Sequence, residues 1–314
     1  MGRPSLALVA LLATPLPRAS ALPPPTRPPA PGLRPLKAAV IVPGFLNSEE
    51  DFKPLAAALT ARGLPTAVMP LPRWHWIPQL TGRSVRPILE RMDHAVRHVA
   101  AMGTAAETAT EPLRVPPVGY GIGDVYADFM ENPGGVASVG GSQLPAEYPV
   151  VEPRGTFPPP PAEAQGSVAL IGHSASGYIS RIYLSSRAYG GKAYKGAELV
   201  HSLVTLGSPH QVGLGLPFCH LAWLNREPLP PGVRGLAVGG RGLKGDASGA
   251  LTKGSYSFCQ PDGSGGELLD GDGITTIDSA LDIPGAETLV LDDVTHLPCA
   301  HAPALKRGRN KGLS

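Results

Sequence analysis

Apolar and polar positions fall into a regular order from Lys37 onward. Ala38–Val42 (AAVIV) is a continuous apolar run closed by Pro43-Gly44, the pattern of a strand buried on both faces. Asn47 or Ser48 can cap a helix through Thr60, with Glu49, Glu50 and Asp51 at its positive end and Gly63 as its stop. Thr66–Leu71 reads as a second strand. Val85, Ile88, Leu89, Met92, Val96 and Val99 then recur at helical spacing, and Arg86, Glu90, Arg91, Asp93, Arg97 and His98 take the opposite face. Val168–Gly172 (VALIG) is another buried strand, followed by a helix from Ala175 to about Arg187. Ser202–Leu206, Gly235–Val238 and Thr288–Leu291 complete the strand candidates. Strands alternating with helices predict an α/β fold, a doubly wound and mostly parallel sheet with helices on both faces.

Proline divides this order. Of 37 prolines in 314 residues, ten lie in residues 1–36 and eleven in residues 101–166. The second stretch carries Pro158–Pro161, Gly134-Gly135, few large apolar residues and no sustained period. It reads as a disordered insertion between a helix and the next strand, and removing 103–165 is expected to leave a folded protein. A flap over the active site is the alternative, supported only by Tyr120, Tyr126, Phe129 and Met130. Outside the two stretches, Lys37–Ala100 and Ser167–Leu305 form one domain of 203 residues, enough for a single core.

The first 36 residues read as a targeting leader and linker. Arg3, the apolar Leu6–Leu12 and Ala19-Ser20-Ala21 follow the order of a signal peptide cleaved after Ala21. The Pro-rich, acid-free Leu22–Lys37 suits either a linker in a secreted protein or the transit part of a two-step leader into a plastid. Between Glu49 and Leu305 the chain has 18 bases against 25 acids, which argues against a nucleic-acid partner. Residues 306–314 are a basic tail. No run of about 18 or more apolar residues occurs, so no spanning helix is expected, although peripheral membrane contact stays open. Cys219, Cys259 and Cys299 permit one bridge in an oxidising compartment, with the pair undetermined.

The chemistry concentrates in Ser167–Tyr183 (SVALIGHSASGYISRIY). A buried strand runs through Gly172-His173-Ser174-Ala175-Ser176-Gly177 into a helix, the setting of a nucleophile elbow, where a tight turn exposes the serine hydroxyl. Gly172 and Ser174 match G-x-S-x-G. Ser176 stands at the second glycine, and Gly177 follows one residue late. An attacking serine needs a base and an orienting acid, in the order Ser, Asp, His. Gly271-Asp272-Gly273-Ile274 precedes a short helix through Leu281 and the strand Glu287–Leu291, and His296 follows just past that strand. Asp272, between two glycines, is the expected acid over Asp246, Asp270, Asp278, Asp282, Asp292 and Asp293. The N–H groups of Ala175 and of Phe45, in Pro43-Gly44-Phe45, are placed to hold an oxyanion.

On these residues the chain resembles the α/β-hydrolases. Within them it is similar to compact lipases and to the lipase-like plastid-type hydrolases of plants and cyanobacteria, marked by a PGF-type turn, a GHSAGG elbow and GDGI before a terminal histidine. The resemblance implies the α/β-hydrolase fold, with Ser174 as nucleophile, Asp272 as acid, His296 as base, and Phe45 and Ala175 as oxyanion donors. It implies a serine hydrolase cleaving carboxylic esters of apolar acyl chains, with no cofactor and no metal. An acyltransferase using the same residues and a non-catalytic binding protein on this fold are the alternatives.

Other residues are expected to be structural. His94 and His98 lie on a solvated helix face without a third metal ligand. His173 points away from the hydroxyl. His210 can line the pocket, His301 is a weaker base candidate than His296, and Trp74, Trp76 and Trp223 serve either the core or an acyl pocket.

Overall fold

The computed structural model describes residues 35–117 and 165–298, apart from 81, 83, 190, 191, 216 and 217. The leader, residues 118–164, Cys299, His301 and the basic tail lie outside the described residues. Six strands form one sheet: β1 (Ala38–Val42), β2 (Thr66–Val68), β3 (Val168–His173), β4 (Val200–Leu206), β5 (Arg234–Arg241) and β6 (Glu287–Asp292). The order is β2-β1-β3-β4-β5-β6, and every neighbouring pair is parallel. The strand expected over Thr66–Leu71 is shorter because Pro70 has no N–H to continue a ladder.

Alternation within AAVIV divides the core. Ala38, Val40 and Val42 join Leu170, Leu203, Tyr178, Ile182, Ile88, Met92 and Val96 on one face. That face is covered by α2 (Arg86–Ala101), α3 (Ala175–Leu184) and α4 (Cys219–Leu224). Ala39 and Ile41 join Ala169, Ile171, Phe52 and Ala56 on the other, under α1 (Lys53–Thr60). Ser48 N–H donates to Asp51 Oδ2 (2.9 Å) at the head of the turn before α1, so Ser48 is the cap. Two further helices, α5 (Ala250–Phe258) and α6 (Ile277–Leu281), lie in the long excursion between β5 and β6. The sequence pattern did not predict α5; its Gly and Ser residues hide the apolar period.

Two further sequence expectations change. Residues 101–117 belong to the body: α2 runs through Ala101, Thr104–Glu107 is a helical turn, and Ala106, Leu113 and Val115 are buried in the core. Leu113 N–H donates to Thr66 O (3.0 Å), extending the sheet's β2 edge. A deletion beginning at 103 therefore removes core side chains and is not neutral. The polar face of α2 is also not solvated. Arg86, Glu90, Arg91 and His94 are buried, because the segment Lys192–Tyr194 and residues near Pro116 pack over them. Lys192 Nζ lies 2.7 Å and Arg86 3.6 Å from the Glu90 carboxylate, and Tyr194 donates to it at 2.8 Å.

The direction of the connections reverses at β1 and β3. From β1 the chain goes outward to β2, returns past β1 to β3, and then proceeds stepwise to β6. In open α/β sheets the crevice at such a reversal, beyond the carboxyl ends of the strands, is where ligands bind.

Candidate active site

Ser174 occupies that position. It follows β3 directly and precedes Ala175, the first residue of α3, with φ 53° and ψ −130°. A non-glycine residue at positive φ is strained, and the strain here lifts the hydroxyl clear of both strand and helix. Gly172 is required: a Cβ there would come within 2.8 Å of Gly177 Cα. Gly177 is required too, since its Cβ would lie 2.4 Å from Ser208 Cβ and 2.0 Å from its Oγ. The second glycine of the elbow is thus Gly177, one residue beyond the usual spacing. Ser176 faces the other way, and its buried hydroxyl donates to the Pro43 carbonyl.

The structure brings Ser174, Asp272 and His296 together from three separate segments. Ser174 Oγ lies 2.9 Å from His296 Nε2, and His296 Nδ1 lies 2.7 Å from Asp272 Oδ2. A carboxylate only accepts, so Nδ1 carries the proton and Nε2 presents its lone pair to the serine. Asp272 is 4% exposed, and its other oxygen accepts the N–H groups of Ile274 (3.0 Å) and Thr275 (2.8 Å). Those bonds fix its rotamer. His296 N–H donates to Asp272 O (2.9 Å), which ties the two loops together. Asp270, the nearest alternative, instead accepts from Gly242 N–H and Gly271 N–H (both 2.8 Å). Asp292 pairs with Arg241 and Asp282 with Arg226.

Two supporting residues, Gly207 and Tyr256, escaped the sequence reading, and His173 takes the structural role expected of it. Gly207, at φ 56°, leaves the space the pair needs, for a Cβ there would be 2.5 Å from Asp272 Oδ2. Tyr256 accepts from Gly273 N–H (2.8 Å) and donates to Leu243 O (2.7 Å), bracing the turn that holds Asp272. His173 Nε2 donates to the His296 carbonyl at 3.0 Å, and the two rings are 4.9 Å apart. Burial, with the neighbouring His296 second, lowers the His173 pKa to about 3, so this ring is neutral. For Gly207 and Tyr256 the sequence held no signal.

The loop Pro43–Phe45 lies against the elbow. A Cβ on Gly44 would be 2.8 Å from Ser174 Cβ, and the Phe45 ring meets Trp76 edge to face at 5.8 Å. Ala175 opens α3, where first-turn N–H groups have no intrahelical acceptor.

The remaining candidates are structural. His210 is buried and bonds Thr205 Oγ1 (3.2 Å). His94, expected in solvent, is buried against Pro116 O (3.0 Å). Trp76 is fully buried, Trp74 stacks on His75, and Trp223 lies under Arg187. Cys219 and Cys259 are free thiols, with burial raising their pKa to about 12 and about 11. No cluster of three or more His, Cys, Asp or Glu able to hold a metal ion occurs among the described residues. No helix among them is long and apolar enough to cross a membrane. A cavity of about 290 Å³ opens beside His296 on the α1 side, between Phe52, Leu55, Leu206, Val238 and Leu291.

No protein-family model matches the chain, and a search among curated proteins finds no match. Among solved structures, one described as RedJ with a PEG molecule bound in the active site is 13% identical. That likeness covers 91% of this chain and 93% of the other at a TM-score of 0.29, too distant to carry any argument about the site.

Proposed function

We propose that the chain is an α/β-hydrolase that cleaves carboxylic esters of apolar acyl chains through an acyl-enzyme. The observation that carries this reading is the linked set Ser174–His296–Asp272, with bonds of 2.9 and 2.7 Å, at a strained strand-to-helix turn. Ser174 Oγ attacks the ester carbonyl while His296 Nε2 takes its proton, and Asp272 stabilises the imidazolium. The N–H groups of Ala175 and Phe45 hold the oxyanion. Collapse expels the alcohol, which takes the proton from His296. Water then repeats the sequence on the acyl-enzyme and releases the acid.

A fluorophosphonate probe tests this without knowledge of the substrate, because it reacts only with an activated serine. The expected result is labelling of Ser174, abolished together with esterase turnover in Ser174→Ala. Labelling at Ser176 or Ser208, or persistence in Ser174→Ala, overturns the assignment.

A further inference from the structure

We infer that Ser176, the residue that breaks the usual elbow spacing, is a positioning residue for the oxyanion site. This rests on the proposed reading of Ser174 and deepens it. Ser176 is fully buried, its hydroxyl donates to the Pro43 carbonyl, and the two residues are 133 positions apart. The bond joins the second residue of α3 to the end of β1. Pro43 is followed by Gly44, whose backbone packs against Ser174 and His173, and then by Phe45, the proposed second donor. One end of the oxyanion site, Ala175 N–H, belongs to α3; the other, Phe45 N–H, belongs to the β1 loop. Ser176 is the side chain seen to tie these two pieces directly together.

A glycine at 176 would leave Pro43 O without this donor and the loop free to shift relative to α3. The elbow does not need the glycine for packing, because Gly177 already supplies the close approach to Ser208. Position 176 is therefore free to carry a hydroxyl, and this chain uses it to hold the loop. A donor displaced by about 1 Å loses most of its value, since oxyanion stabilisation depends on donors fixed before charge develops.

The test uses the full chain with Ser176→Ala and Ser176→Thr, each with active sites counted by fluorophosphonate titration. Per titrated site, Ser176→Ala is expected to lower kcat roughly 10- to 100-fold with KM within about twofold. Binding of a trifluoromethyl ketone, whose serine adduct carries the oxyanion, weakens by a similar factor. Ser176→Thr keeps the hydroxyl and recovers most of both. Should Ser176→Ala fail to fold, Ser176→Gly serves as the same comparison. Normal kcat and ketone affinity per site, with only a lowered unfolding temperature, would show a purely structural bond and overturn the inference. A wild-type protein inert to the fluorophosphonate overturns the reading of Ser174, and this inference with it.

Discussion

Among the described residues, two clusters of buried polar side chains, one under α2 and one at the carboxyl edge of the sheet, behave in opposite ways. Under α2, Glu90 receives Lys192, Arg86 and Tyr194, while Asp93 receives Arg97 (2.9 Å) and Tyr183 (3.1 Å). Each carboxylate there is surrounded by donors, and no reactive group faces outward. At the carboxyl edge of the sheet, Asp272 is as buried as Glu90, but its bonds lead through His296 to a hydroxyl held at a strained turn. Both clusters satisfy their charges, so burial and hydrogen bonding alone do not mark a site. What separates them is direction: one network closes on itself, and the other ends on Ser174.

The comparison can be broken most sharply at Asp272. Asp272→Asn should keep the fold and reduce turnover by about 10⁴, because the histidine loses its orienting charge and correct tautomer. Steady-state kinetics check this, and near-normal turnover would mean that the second network has no more chemical role than the first. Glu90→Ala should do the reverse. Leaving Lys192 and Arg86 uncompensated costs about 3–5 kcal/mol of stability, read by denaturant unfolding, while turnover per titrated site stays near that of the parent.

Acid should act on both regions at once, through their neutral histidines. Burial lowers His173 beside the site and His75 beside Arg91 to about 3, and holds His210 well below its ordinary range. In the unfolded chain these rings take a proton near 6.5. The unfolded state therefore binds more protons between about pH 6.5 and 3, and stability falls as pH falls through that window. Thermal melts at pH 7 and pH 5 measure the loss; a flat profile would mean that the rings are not buried as neutral groups. The smallest effect belongs to the exposed Arg241–Asp292 pair, which joins β5 to the edge strand β6. Arg241→Gln should leave both melting temperature and turnover unchanged within error, since exposed ion pairs add little.

Local pattern made much of this protein legible. All six strands were predicted from short apolar runs, and Ser174, Asp272 and His296 from turn chemistry and chain order, because a buried strand and a strand-to-helix turn are set by neighbouring residues. The ends of elements were less legible: β2 stops at Val68, and residues 101–117, with few large apolar residues, still place Leu113 and Val115 in the core. Composition describes how a segment behaves alone, whereas Leu113 is held by a bond to Thr66, 47 residues earlier.

The sequence by itself determined that strands and helices alternate, that a serine stands at a tight turn between two of them, and that an acid and a histidine follow in order. Only the tertiary structure decided that Ser176 faces Pro43, that Gly207 clears space for Asp272, and that the charged face of α2 is covered. Each of these depends on a partner far along the chain: Ser176 and Pro43 are 133 residues apart, and Lys192 and Glu90 are 102. Periodicity reports which face of an element avoids water, but the identity of the group that meets it is settled only when the sheet assembles.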